Sequence, residues 1–281
     1  MPLNIPQLAQ TLQHYSVGHT IDYYQSIPST MPIAQKLAER PETRSGTIVV
    51  AEEQTAGRGR LQRRWETPVG QALLVSIIFK PAHRRQGIAP PLLSMAAGVA
   101  TAHALETFTP SLVGCVGLKW PNDVLLGHDS EHRMEKTGKV AGILVEGAFQ
   151  QGELLYAILG IGINVNQARD TLPPAQPGAP MPTSLRLFAD QEFDRTALLI
   201  ALCRSLSGLL NSDQPAQALI TEWRSRLWTL GQMITVRTNG TEGEVFSGRA
   251  VDVTGEGNLV VEHESGARRI FTAGDVSIRT G

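Results

Sequence analysis

Cysteine is scarce in this chain: Cys115 and Cys203 are the only two in 281 residues. They stand far apart and in no metal or redox spacing, which excludes a disulfide framework and points to a reducing compartment. Both thiols are expected as small core residues. Aromatic side chains make up only 5% of the chain, too few for a surface that stacks nucleic-acid bases. Neither sign of charge dominates, the formal net charge being -1, so a protein that coats polyanions is excluded and any phosphate site must be local. No apolar run approaches the roughly 20 residues of a membrane helix, and residues 1–25 lack the basic start and apolar core of a secretory signal. A cytoplasmic protein with no membrane partner is expected. A GxSxG elbow, a convincing Cys–His pair and a Walker phosphate loop are all missing, which argues against chemistry through an enzyme nucleophile or a phosphate loop of that kind.

What the chain does have is GRGRLQRRW at residues 57–65, two glycines, four arginines and an aromatic in one turn. Glycines let backbone N–H groups approach a ligand, and guanidinium groups grip carboxylate or phosphate with paired hydrogen bonds. Apolar β-branched runs at 47–54 and 71–79 bracket this turn, so it should link two sheet strands. Residues 31–39 read as a short helix with Pro32 in its first turn, where a missing N–H costs least. Ser29 and Thr30 just ahead of it suit either a helix cap or a ligand. A helix over 92–106 follows two prolines, with His103 expected at the edge of the core. KWPNDVLL at 119–126 places a turn between two strands, and long strands should follow in 140–149 and 154–166. The polar stretch 127–138 reads as a solvated loop, with His128 and His132 as surface residues and no metal site. Residues 166–183, rich in Pro, Gly and Ala, are expected as a mobile loop outside the core.

Apolar periodicity then predicts helices over 194–210, with Asp194 as N-cap, and 215–228. From residue 233 short β-rich pieces alternate with turns, which predicts a small barrel of about five strands. The domain boundary is placed so that 1–230 form one domain and 231–281 the second. The fold class is α+β: a mixed sheet backed by helices, plus the C-terminal barrel.

Four blocks, GRGR at 57–60, KWPND at 119–123, GKVAGILVE at 138–146 and GINVN at 162–166, occur together and in this order. In this the chain resembles the biotin–protein ligases, a resemblance that extends over nearly everything after residue 20. It implies an SH3-like C-terminal domain and an ATP-dependent reaction through biotinyl-5′-AMP. The acceptor would be a lysine of a biotin carboxyl carrier protein or of a carboxylase's carrier domain. Magnesium would enter as MgATP, and biotin is a substrate. The resemblance also assigns residues. Ser29, Thr30, Gln54, Gly57, Arg58, Gly59, Arg60, Lys139 and Gly142 would meet biotin, with Arg60 and Lys139 at the reacting carboxylate and phosphate. Arg63, Trp65, Lys119, Asn122, Asp123 and Asn164 would serve ATP and its phosphates, and Arg64 would be a solvated charge. Gln62 stands where many relatives carry glycine. The region before residue 26 is too short for the helix-turn-helix head of some relatives, so no DNA partner is expected. A homodimer through exposed apolar strands stays open, and so does lipoate or octanoate transfer, whose enzymes share the general fold.

Overall fold

A computed structural model describes residues 1–81, 89–127, 137–175, 178–211, 216–238 and 243–278. Expectations for His128 and His132, the turn at 239–240, the helix start at Pro215 and the side chain of Gln62 lie outside the described residues.

The first layer is an eight-stranded mixed sheet: β1 (Ile21–Tyr24), β2 (Ile48–Ala51), β3 (Ala72–Phe79), β7 (Glu153–Asn164), β6 (Gly138–Gln150), β5 (Asp123–Leu126) and β4 (Val116–Lys119) in spatial order, with β8 (Met181–Pro182) on β6. β1 runs parallel to β2 and β8 parallel to β6; the other ladders are antiparallel. Val, Ile and Leu fill β2, β3 and the later part of β7, residues 157–164, because these central stretches are buried on both faces. The expected strand 47–54 is shorter, ending at Ala51, because Glu52 and Gln54 leave the ladder to make side-chain contacts described below.

The helices α1 (Ile5–Leu12) and α2 (Thr30–Ala38) flank β1, α3 (Pro90–Phe108) lies between β3 and β4, and α4 (Leu185–Ala189), α5 (Arg195–Asn211) and α6 (Ala216–Ser225) follow β8. α3 is apolar around its whole circumference and is therefore enclosed, with the sheet on one side and α5 and α6 on the other. Its Gly98 lets Leu118 of β4 come close; an added Cβ would lie 3.3 Å from Leu118 Cδ1. His103 contacts Glu222 of α6 at 2.5 Å, half-buried at the core's edge as expected. Asp194 caps α5, accepting from Thr196 N at 2.8 Å. α6 stops at Ser225, short of the expected 228, because Arg226 and Trp228 turn to bond both backbone groups of Leu118. Cys203 is wholly buried and its thiol is pushed up to about 12 by desolvation. Cys115 departs from expectation: it lies in the turn before β4, partly exposed.

The C-terminal unit is a five-stranded antiparallel sheet of SH3-like type, in the order β12 (Arg268–Phe271), β11 (Leu259–Glu262), β10 (Val245–Val253), β9 (Met233–Arg237), β13 (Asp275–Ile278). The expected barrel is not closed: among the described residues no ladder joins the outer strands β12 and β13. Three residues separate them, and β13 crosses back to pair with β9. No described helix is long and apolar enough to cross a membrane.

Candidate active site

Between the two sheets lies a cavity of about 830 Å³. The segment 57–65 forms one wall as a miniature hairpin. Trp65 N donates to Gly57 O at 2.9 Å and Gly59 N to Arg63 O at 2.7 Å, with Leu61 at the tip in the left-handed region, φ 53°. Gly57 is obligatory here, since a Cβ would fall 2.3 Å from Trp65 O. The hairpin sorts its arginines. Arg60 turns inward, donating to Asn122 Oδ1 at 3.1 Å and to Gly274 O at 3.4 Å. Arg63 meets Asp275 of β13, while Arg64 pairs with Glu66 in solvent, its side chain 82% exposed, as a solvated charge should be.

Lys119, Asn122 and Asp123 come from the β4–β5 turn, whose Trp120–Pro121 bond is cis. Asn122 Nδ2 donates to Ile143 O at 2.7 Å, fixing this turn against β6. Lys139 at the start of β6 places Nζ 2.6 Å from Asp123 Oδ1 and 5.5 Å from the Trp65 ring. Burial opposes ionisation of Asp123, but Lys139 and Lys119 outweigh it and hold the carboxyl below its usual range. Asp123 is therefore a fixed anion that orients two ammonium groups and a poor proton acceptor. Lys119 is almost wholly buried, and desolvation pulls its ammonium below the ordinary lysine value even with Asp123 beside it. Desolvation likewise lowers Arg60, opposed by Asp275 and Asp123.

On the floor, the paired glycines Gly142 and Gly162 of β6 and β7 carry the Trp65 indole. A Cβ at Gly162 would lie 2.7 Å from Trp65 Cε2, and one at Gly142 3.0 Å from Cζ3. Trp65 Nε1 is buried with no partner among the described residues. Ser29 and Thr30 line the far end. Ser29 holds the N-cap position of α2 without a capping side-chain bond, so the cap alternative does not describe its hydroxyl. Thr30 and Gln54 bond to each other.

All the residues singled out from sequence line this cavity except Gly57, which supports the hairpin from behind. Asn164 is on the wall, but its amide is engaged: Nδ2 donates to Thr183 O at 3.0 Å and Oδ1 accepts from Gln167. These bonds, with Arg169 to Pro182 O and β8 on β6, anchor much of 166–183 to the sheet, where a free loop was expected. Two groups of residues escaped the sequence. Asp275 reaches the cavity from the second sheet, a lone carboxylate in the stretch 272–278 with no motif around it. Ser76, and the buried pair Glu52–Arg195, had no motif to betray them.

A mixed sheet backed by helices, a second small sheet, and a shared cavity lined by two lysines and five arginines define a class: enzymes that bring a carboxylate and a nucleotide phosphate together in one site. The sequence matches the biotin/lipoate A/B protein ligase family over residues 23–164 and the biotin protein ligase C terminal domain over 229–279, and the chain belongs to that family. It is 32% identical over 265 residues to the bifunctional ligase/repressor BirA of Bacillus spizizenii, covering 92% of this chain and 74% of that one. The biotin--[acetyl-CoA-carboxylase] ligase of Paracoccus denitrificans is 31% identical over 251 residues, 88% of this chain and 96% of the relative. Among solved structures, the Aquifex aeolicus biotin protein ligase in complex with biotin and ATP superposes with a TM-score of 0.70 at 25% identity, over 93% of this chain and 99% of that one.

Proposed function

We propose that this chain is an ATP-dependent biotin–protein ligase, with residues 1–230 as catalytic domain and 231–281 as C-terminal domain. Biotin and MgATP give biotinyl-5′-AMP and pyrophosphate. The ε-amine of one lysine on the carrier domain of a biotin-dependent carboxylase then displaces AMP, forming an amide. The observation that carries this is the set of cations Arg60, Arg63, Lys119 and Lys139 around one cavity, in a family member whose relatives are named for this reaction.

Two anions, a carboxylate and a triphosphate, repel each other. Placing them at van der Waals distance requires fixed positive charge in a site shielded from water. Arg60 and Lys139 supply that charge to the carboxylate and α-phosphate. Asp123 holds Lys139, and Asn122 holds Arg60, so neither cation must be reorganised when the ligands arrive. Arg63, Trp65, Lys119 and Asn164 serve the nucleotide, with magnesium arriving on ATP. Ser29, Thr30, Gln54, Arg58 and Gly142 face biotin. The acceptor amine enters deprotonated and attacks the acyl carbon, AMP leaves with the negative charge, and the surplus proton on nitrogen passes to solvent. Incubating the purified protein with a carrier domain, MgATP and either biotin or lipoate, then weighing the carrier, decides the assignment: a mass gain with biotin is expected, and a gain with lipoate alone overturns it.

A further inference from the structure

We propose that Met31 is the end stop of the cavity, the residue that sets how long a carboxylic acid the site accepts. This rests on the biotin ligase assignment and deepens it.

Strand register gives the cavity two ends. Asp123, Gly142 and Gly162 lie side by side on β5, β6 and β7, and Lys139 Nζ would stand 3.5 Å from a Cβ added at Gly142. Two residues further along, Leu144 of β6, Gly160 of β7 and Ser76 of β3 form a second row. Alternate residues of a strand share a face, so this row lies on the same face about 7 Å from the first. The ammonium stands at the first row, and at the second the cavity is walled by Met31 and Leu144. A carboxylate drawn to Lys139 therefore points the rest of its molecule toward Met31.

Met31 is the second residue of α2 and is 4% exposed. Thr30 beside it is held from the second row, where Ser76 Oγ donates to Thr30 Oγ1 at 2.7 Å. That bond docks the first turn of α2 on the sheet, with the Met31 thioether over Gly160. A Cβ added at Gly160 would lie 2.8 Å from Met31 Sδ and 3.5 Å from its Cγ. Behind the thioether stand Ala34, Val49, Ile78 and Ile158, packed with it in one apolar cluster, and its open side faces the cavity. An unbranched thioether shifts readily. A methyl added at Gly160 pushes it into the cavity, and truncation of Met31 to alanine withdraws the stop.

The test uses the full chain with MgATP and follows pyrophosphate release driven by norbiotin, biotin and homobiotin, acids whose chains differ by one methylene at each step. Circular dichroism melts establish that each variant is folded. One methylene too many against a closed end costs about tenfold in kcat/KM, so wild type should prefer biotin over homobiotin by about that factor. Met31→Ala should remove that preference through KM, with kcat for biotin within about threefold of wild type. Gly160→Ala should move the preference the other way, toward norbiotin, by about tenfold. Adding Met31→Ala to Gly160→Ala should cancel that shift. If Met31→Ala does not fold, Gly160→Ala carries the test alone from the opposite direction. An unchanged ratio of homobiotin to biotin in folded Met31→Ala overturns the proposal, as does an unchanged ratio of norbiotin to biotin in folded Gly160→Ala. So does an equal loss for all three acids, the mark of a packing role alone. A double variant as biased toward norbiotin as Gly160→Ala also overturns it, because the added methyl and not the thioether is then the obstruction. A wild type that releases no pyrophosphate with biotin overturns instead the ligase assignment on which the proposal stands.

Discussion

The Lys139 ammonium pairs with Asp123 and lies 5.5 Å from the centre of the Trp65 ring, so its place is set by the protein's own groups. Interactions aimed at charge that develops during reaction affect kcat more than binding. Lys139→Ala should slow pyrophosphate release about 100-fold while changing biotin affinity by no more than a few-fold; equal losses, by calorimetry and kinetics, would make it a simple binding residue. Lys119 makes a different prediction. Its folded pKa is lowered by desolvation, so as pH rises its positive charge is lost earlier than from an ordinary lysine. The rate of adenylate formation should therefore fall on the alkaline side at a pH below the usual lysine range. In Lys119→Arg, whose charge persists, that limb should move to higher pH. The stability sign is the same arithmetic: the unfolded state binds more protons between the two pKa values, so this lysine's share of stability grows as pH rises there.

At the scale of elements, the roots of the 53–71 segment are held by one buried ion pair. Arg195 of α5 donates to Glu52 Oε2 at 2.7 Å and to Ala72 O at 3.0 Å, and Glu52 also accepts from Leu3 N and Tyr23 OH. The two side chains are 2% and 1% exposed, so removing one strands the other's charge. Arg195→Leu should cost about 3–5 kcal/mol in urea unfolding, far more than an exposed pair such as Arg64–Glu66. None of this was legible in the sequence, because Glu52 and Arg195 stand 143 residues apart and Ser76 and Thr30 46 apart. A lone serine in an apolar strand announces no partner. By contrast α3 was legible from its two leading prolines and its apolar run, and the cationic residues were legible because they cluster in short motifs. Strand β1 was missed: its four half-buried residues are a strand only because β2 runs alongside.

For the whole molecule, the second sheet is part of the site. Arg63 to Asp275 and Arg60 to Gly274 O tie it to the first sheet at the cavity, and Trp120 Nε1 to Gly257 O does so away from it. The number of C-terminal strands could be read from their turns. That no ladder joins the outer strands among the described residues could not, since closure depends on which distant edges meet. Asp275→Ala should free the hairpin at Arg63, so trypsin should cut at residues 58–64 faster than in wild type, and biotin with MgATP should restore resistance. One last effect belongs to the cavity as a whole. Because the Trp65 indole rests on Gly142 and Gly162, these two glycines are a requirement of the ring: a methyl at Gly162 would fall 2.7 Å from Trp65 Cε2. Gly162→Ala should therefore push the indole off the strands and weaken ATP binding about tenfold in calorimetry, and an unchanged affinity would separate the ring's seat from the nucleotide.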